Sequence, residues 1–165
     1  MKNKPFTALH RLVAVLLLCL TSTAANAIDV GETLKIDKLE TIDGKTLTQS
    51  DLAGKHLIVQ VWATWCPYCH RQNLNLIELA RKTEGQNLLI IGLSIDRKPT
   101  DVPIYVEKHK LNFPVAMMTP ALEAAIGKRR GIPELYVIDP SGKVVQKDFG
   151  QMVDLDLFDL ARYGK

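Results

Sequence analysis

The order of hydrophobic patterns along this chain predicts a single α/β domain. Two continuous apolar runs, at 56–63 and 87–96, have the length and composition of strands that are buried on both faces. Each run is followed by a segment whose apolar residues recur at helical spacing. No repeat, low-complexity tract or internal linker interrupts this alternation.

Local signals place the remaining elements. Asp43-Gly44 lies between two short alternating runs and indicates a hairpin closed by a two-residue turn. Gly85 ends the first long helix, whereas Thr119 and Pro120 are typical of the start of a short one. The predicted elements are a hairpin at 35–48, a connecting turn at 48–55, helices at 67–83, 102–108 and 120–127, a strand at 113–118, a hairpin of strands 134–139 and 144–150, and a helix at 153–163.

The N-terminus has the features of a secretory signal peptide. Three basic residues precede the apolar run Leu12–Leu20, and Ala25–Ala27 supplies small residues at the two positions that a signal peptidase reads. We therefore expect a signal peptide at 1–27, cleaved after Ala27, and an exported, periplasmic domain at 28–165. The apolar run is short for a membrane span of about 20 residues, but retention as a membrane anchor stays open.

The charge balance depends on this segment. The chain has 21 Lys and Arg, 18 Asp and Glu, and a net charge of +3. Three of the basic residues and none of the acidic ones lie within 1–27, so the expected mature domain is neutral. No basic run with interleaved aromatic residues follows it, and we expect no nucleic-acid partner.

The segment WATWCPYCH, from Trp62 to His70, contains the only two cysteines of the expected mature domain, Cys66 and Cys69. C-x-x-C is a redox dithiol pattern, whereas C-x-x-C-H is also the haem c attachment pattern. Cys66 opens a predicted helix, where free N–H groups and the helix dipole stabilise a thiolate, and Cys69 faces inward one turn later. This position favours a dithiol without cofactor or metal. Haem attachment is disfavoured because the buried strand that runs into the motif leaves no pocket for a haem, and half of a metal site because no second C-x-x-C or paired His motif completes four ligands. A structural cysteine pair stays open as an alternative.

Three stretches together resemble the exported thioredoxin-like disulfide reductases of the TlpA/ResA type. They are LIVQVWATWCPYCHRQ at 57–72, LLIIGLSID at 88–96 and RRGIPELYVIDPSGKVV at 129–145. The resemblance covers nearly all of 28–165. It implies a thioredoxin-like fold, with a central mixed sheet flanked by helices, an N-terminal hairpin and a central insertion.

The resemblance also implies a reaction. The Cys66 thiolate attacks a disulfide in a client protein, and Cys69 then attacks Cys66 to release the reduced client. A membrane reductant transporter of the DsbD type is the implied electron donor, and proteins of cytochrome c maturation are implied clients. A thiol oxidase or isomerase that uses the same residues, and a redox-independent binding module, stay open as alternatives; a covalent haem carrier is the least favoured.

Four further residues are expected to bind the client. By the resemblance, Pro133 is preceded by a cis peptide bond and lies opposite the dithiol. Ile132 would then offer backbone groups that pair with a client segment as a short added strand. Trp65 and Tyr68 flank Cys66 in the sequence, and we expect both to contact the client.

Two positions depart from the resembled pattern. Thioredoxin has a buried aspartate six residues before its first cysteine, where this chain has Gln60, and ResA-type proteins often have a glutamate three residues after the second cysteine, where it has Gln72. The usual proton acceptors for Cys69 are therefore missing. Its deprotonation would rely on water, on another group such as Asp96, or on slow unassisted transfer, and the simpler interpretation of Asp96 is an ordinary strand-end residue. His70 either adds positive charge beside the thiolate or is an ordinary solvated histidine.

Overall fold

The structure is a computed structural model that describes residues 27–165, so the predicted signal peptide lies outside the described residues apart from Ala27. None of the described helices is long and apolar enough to cross a membrane. The elements are β1 (Lys38–Glu40), β2 (Thr46–Thr48), α1 (Gln49–Leu52), β3 (His56–Trp62), α2 (Pro67–Lys82), β4 (Leu88–Ser94), α3 (Asp101–His109), β5 (Val115–Met117), α4 (Pro120–Ile126), β6 (Glu134–Ile138), β7 (Val144–Phe149), α5 (Asp154–Asp159) and a closing 3₁₀ helix (Leu160–Gly164).

A five-stranded mixed sheet of order β5-β4-β3-β6-β7 forms the centre of the domain. Strand β3 runs parallel to β4 and antiparallel to β6, and all its residues from Leu57 to Trp62 are buried. Val61, near the end of β3, pairs with Glu134, the first residue of β6. The segments that follow β3 and precede β6 therefore meet at one edge of the sheet.

Each face of the sheet packs against its own hydrophobic layer. Helices α2, α3 and α5 cover one face, whereas the N-terminal segment and α4 cover the other. Alternate residues of each strand supply the two layers, as the twofold period of a strand requires. The first layer includes Ile58, Trp62, Leu76, Leu79, Val102 and Leu157, and the second includes Leu34, Leu39, Val59, Ile91 and Ile126.

Residues 28–48, which we term the N-terminal strap, bind both outer strands of the sheet. The Gly31 N–H donates to the Val144 carbonyl at 2.8 Å, on the outer side of β7. The Ile42 N–H donates to the Val115 carbonyl, also at 2.8 Å, on the outer side of β5. The strap therefore covers backbone groups that would otherwise be open to pairing with another chain.

The hairpin β1–β2 is confirmed, but the predicted two-residue turn is wrong. Glu40 pairs with Thr46, and the Thr41 N–H donates to the Lys45 carbonyl at 2.9 Å. Gly44 has a φ of +80° and donates its N–H to the Thr41 carbonyl at 3.0 Å. The glycine therefore ends a longer loop in the left-handed conformation, which it adopts without steric cost.

Three other segments refine the sequence prediction. The predicted turn at 48–55 contains the short helix α1, whose start is stabilised because the Thr48 N–H donates to the Asp51 carboxylate at 2.7 Å. The predicted C-terminal helix changes to a 3₁₀ helix after Asp159. Strand β5 and helix α4, which lie between β4 and β6, form the expected central insertion, and β5 adds the outer parallel strand.

We predict that Gly92→Ala destabilises the domain. A β-carbon at this position would lie 2.9 Å from Trp62 Nε1 and 3.4 Å from side-chain atoms of Phe113 and Val115. All three side chains are buried, so the strain should lower the free energy of unfolding by about 1–3 kcal/mol in urea denaturation. Gly131→Ala is the control, since a β-carbon there meets no atom within 4 Å. Equal stability of the two variants would contradict this prediction.

Candidate redox site

Cys66 and Cys69 form a disulfide at the N-terminus of α2, with their Cα atoms 5.2 Å apart. Cys66 is the N-cap residue, and Pro67 occupies the first helical position, where no N–H partner is needed. The Cys66 sulfur accepts a hydrogen bond from the Cys69 N–H at 3.1 Å. In the reduced form, this N–H and the helix dipole would stabilise a thiolate on Cys66.

The two cysteines differ in their access to solvent. Cys69 is fully buried in the core, whereas Cys66 is 4% exposed and its side chain lines an open cleft. The difference in exposed area is small, but of the two cysteines only Cys66 is in contact with solvent. The predicted roles of Cys66 as attacking thiol and Cys69 as resolving thiol are compatible with this placement.

The metal-site alternative has no further ligands in the described structure. Within residues 27–165, no group of three or more His, Cys, Asp or Glu side chains is arranged to hold a metal ion. The sulfurs of Cys66 and Cys69 are bonded to each other.

Asp96 holds the loop that leads into the cysteine motif. Its carboxylate accepts hydrogen bonds from the Thr64 N–H at 2.9 Å, the Thr64 hydroxyl at 2.6 Å and the Ser94 hydroxyl at 2.7 Å. These three donors fix Thr64 two residues before Cys66. The contacts assign Asp96 a structural role, and none of them involves a cysteine.

Gln60, Gln72 and Asn73, which we term the amide cluster, lie buried on the face of the sheet that α2 covers. Gln72 Nε2 donates to Gln60 Oε1 at 2.9 Å, and Gln60 Nε2 donates to Asn73 Oδ1 at 2.6 Å. The Met152 N–H donates to Gln72 Oε1 at 2.8 Å. The sequence revealed the two missing acids but not that their replacements bind each other and Asn73.

Ile132 and Pro133 lie opposite the disulfide, as the sequence predicted. The peptide bond between them is cis, and the Ile132 carbonyl oxygen is 3.8 Å from Cys66 Sγ. The Pro133 carbonyl accepts from the Gly150 N–H at 2.9 Å. Among residues 27–165, no backbone group pairs with Ile132, so its N–H and carbonyl are available to an extended segment.

Two open clefts flank the disulfide, and exposed apolar side chains line both. Trp65 and Tyr68 are 64% and 63% exposed, and the contact with a client that the sequence predicted for both stays a prediction. Sequence reasoning missed Ile104 and Val153, which are 66% and 64% exposed, because nothing local marks them as residues that line these clefts. The proline cleft, of about 600 Å³, is lined by Tyr68, Ile132, Pro133 and residues 150–154. The histidine cleft, of about 540 Å³, is lined by residues 64–67, His70, Asp101, Ile104, Tyr105, Lys108 and His109.

A buried carboxylate directly follows Pro133. Glu134 is fully buried, its nearest cation is Lys147 Nζ at 3.9 Å, and neither carboxylate oxygen has a hydrogen-bond partner among the described residues. Burial raises the pKa of Glu134 above its ordinary value. Sequence reasoning missed this group; its signal was a single acidic residue in the otherwise uncharged strand β6.

Comparison with known families identifies the chain. Residues 30–147 match the AhpC/TSA family. The chain belongs to the AhpC/TSA family. This AhpC/TSA-family chain is 31% identical over 110 residues to a thiol-disulfide oxidoreductase ResA of Bacillus cereus, a match that covers 67% of this chain and 64% of that protein. It is 26% identical over 121 residues to ResA of Bacillus subtilis, over 73% of this chain and 68% of that protein.

Solved structures confirm the thioredoxin-like fold. The AhpC/TSA-family chain superposes with a TM-score of 0.72 on the crystal structure of a thiol:disulfide interchange protein of the thioredoxin family from Chlorobium tepidum TLS. The two are 26% identical, and the match covers 84% of this chain and 98% of that one. The predicted resemblance to ResA-type proteins is confirmed as well.

We predict a pH-dependent effect of Glu134→Gln on stability. Because burial raises the pKa of Glu134 above 4.5, the folded protein retains this proton at pH values where the unfolded chain has released it. The stability that this proton contributes is present below about pH 4.5 and is lost as the pH rises through the folded-state pKa. The free energy of unfolding of the variant, relative to the unaltered protein, should therefore increase between about pH 4.5 and 7 in urea denaturation.

The exposed Glu84 provides the control for this measurement. Glu84→Gln removes a carboxylate from the surface, so it measures the effect of losing one acidic charge over the same pH range. A difference for Glu134→Gln that rises no more than that of Glu84→Gln, or that falls with pH, would contradict the raised pKa of Glu134.

Proposed function

We propose that the chain is an exported thiol–disulfide oxidoreductase that reduces disulfides in client proteins. The observation that carries the proposal is the Cys66–Cys69 disulfide at the start of α2, with Cys66 Sγ 3.8 Å from the carbonyl oxygen of Ile132. The relatives named thiol-disulfide oxidoreductase ResA support it.

The site has the parts needed to hold a client in an extended conformation. The free N–H and carbonyl of Ile132 can pair with the client backbone beside its disulfide. Tyr68 and Val153 at the proline cleft, and Trp65 at the histidine cleft, supply exposed apolar surface to client side chains. Because backbone pairing is independent of sequence, this arrangement suits clients of differing sequence.

The reaction is a two-electron dithiol exchange. The Cys66 thiolate attacks one client sulfur, the client disulfide breaks, and a mixed disulfide forms while the other client sulfur leaves as a thiolate, which then takes a proton from water. Cys69 then attacks Cys66, so that the protein is oxidised to the disulfide and the client is released with two thiols. The amide cluster holds no carboxylate and amides do not accept protons near neutral pH, so we expect the Cys69 proton to pass to water.

We predict that Cys69→Ser traps a mixed disulfide. The chain should speed dithiothreitol-driven reduction of insulin, whereas the variant should stop after the first attack and accumulate insulin linked to Cys66. Non-reducing electrophoresis with peptide mass spectrometry identifies the bond. Cys66→Ser is the matched control, because it has lost the attacking thiol and should form at least tenfold less adduct and reduce no insulin.

Other outcomes would replace the proposal. Full insulin reduction by Cys66→Ser would exclude the dithiol mechanism, and delayed insulin aggregation that is independent of both cysteines would indicate a binding module.

The reduction potential of the Cys66–Cys69 pair determines the direction of electron flow. A value near that of thioredoxin, about −270 mV, supports a reductase, whereas one near about −120 mV supports an oxidase.

The proposed location and electron donor can be read in one experiment. We propose that residues 1–27 direct export, that a DsbD-type transporter keeps the dithiol reduced, and that clients include proteins of cytochrome c maturation. Thiol trapping of the periplasmic fraction should find mature protein beginning at Ile28, mostly reduced with the transporter and mostly oxidised without it. Protein confined to the cytoplasm would refute the proposed export. A redox state of the dithiol that is the same with and without the transporter would refute the proposed electron donor. If cells that lack the gene for this chain also lack cytochrome c with covalently attached haem, that result would support the proposed class of clients.

A further inference from the structure

Cys66 and His70 occupy the same side of α2, one turn apart. The His70 N–H donates to the Cys66 carbonyl at 3.0 Å, which is the first turn of the helix. Side chains of a helix tilt toward its N-terminus, so a residue four positions along covers the turn before it. This tilt directs the His70 side chain toward the turn that carries Cys66, and both residues line the histidine cleft.

Tyr105 holds the His70 ring in this place. The Tyr105 hydroxyl oxygen is 2.8 Å from His70 Nδ1. Tyr105 is itself fixed, because its ring packs against Trp62 with 5.0 Å between ring centroids and against His109 with 4.4 Å. Burial raises the pKa of Tyr105, so its hydroxyl keeps its hydrogen throughout the neutral range.

The amide cluster also binds Tyr105. Gln60 donates to the carbonyl oxygen of Asn73, which leaves the Asn73 Nδ2 group to donate to the Tyr105 oxygen at 3.3 Å. Because the Tyr105 oxygen already accepts from Asn73, we assign its hydrogen to His70 Nδ1, and a neutral ring in this arrangement carries its own hydrogen on Nε2. No protein group within residues 27–165 binds Nε2, which makes it the ring nitrogen available to the cleft.

We propose that His70 stabilises the Cys66 thiolate, through its Nε2–H and through its positive charge when the ring is protonated, and that Tyr105 is the positioning residue for this imidazole. The inference rests on the function proposed above, in which that thiolate is the attacking group. In this proposal, His70 supplies the positive charge near the Cys66 thiolate, which the uncharged buried amides cannot supply.

Several other charges bear on the pH dependence of this site. The titratable groups that line the histidine cleft are Cys66 and His70 from α2 and its cap, and Asp101, Tyr105, Lys108 and His109 from α3. Partial burial lowers the pKa of His109, and the nearby His70 and Lys108 lower it further, so His109 adds little charge at neutral pH. Asp101 and Lys108 are both exposed and of opposite sign. His70 is the ionisable side chain of this cleft that shares a helix with Cys66.

The test is the alkylation rate of Cys66 in the reduced protein, measured against pH with iodoacetamide and quantified on the Cys66 peptide. His70→Ala should lower the rate near pH 6 by about tenfold, the size of one charge-assisted hydrogen bond at a partly exposed site. His70→Gln places a non-titrating N–H near the position of Nε2, and it should recover part of the rate while losing the pH step of the imidazole. Tyr105→Phe retains the ring packing and should lower the rate roughly threefold.

Arg71→Ala is the matched control, because it removes a permanent positive charge at the position after His70. The Arg71 guanidinium lies 3.6 Å from the Asp154 carboxylate. The variant should leave the Cys66 profile within about twofold, as expected for a screened surface charge. An equal loss in Arg71→Ala, or a His70→Ala profile that matches the unaltered protein, would overturn the proposal, and an unchanged Tyr105→Phe profile would remove the positioning role. Alkylation needs no client, so this result is independent of whether the chain reduces insulin.

Discussion

The antiparallel pairing of β3 with β6 is the constraint on which the site depends. Because the two strands run in opposite directions, the residue pair Val61 and Glu134 fixes which loops meet at that edge of the sheet. Cys66 follows β3 and Pro133 precedes β6, so they face each other although they are far apart in the sequence. A slip of one residue in β6 would move Glu134 to the face covered by α2 and separate the loops from their present partners.

Hydrogen bonds between buried polar side chains also hold the site together. The amide cluster connects β3, α2 and, through the Met152 N–H, the loop that lines the proline cleft. Each amide satisfies another, so the cluster avoids the cost of an unpaired buried polar group. The buried acid instead lies at Glu134, on the opposite face of the sheet, where strand alternation places it with Tyr136. The neutral groups and the acid are thus separated by the sheet itself.

The sequence was informative wherever a local pattern determines structure. Continuous apolar runs identified β3 and β4, and the motif around Cys66 identified the disulfide, whereas the place of Pro133 opposite it came from the family resemblance. Patterns failed where the outcome depends on packing between distant elements. The contact of His70 with Tyr105 requires α3 to lie against α2, which no local pattern reports. The Asp43-Gly44 dipeptide indicates a hairpin but does not distinguish a two-residue turn from a longer loop that ends in glycine.

The N-terminal strap has a consequence for how the chain can fold during its synthesis. The strap is synthesised before all the elements of the central sheet, yet the strands that it covers, β5 and β7, lie in the last third of the sequence. Until those strands have been made, Gly31 and Ile42 have no partners, and the second hydrophobic layer stays open. A growing chain that has not reached β5 therefore lacks both edge contacts, and the sheet is incomplete until β7 has been made. Such a delay is compatible with threading through a narrow translocation channel, in which the completed fold would not fit.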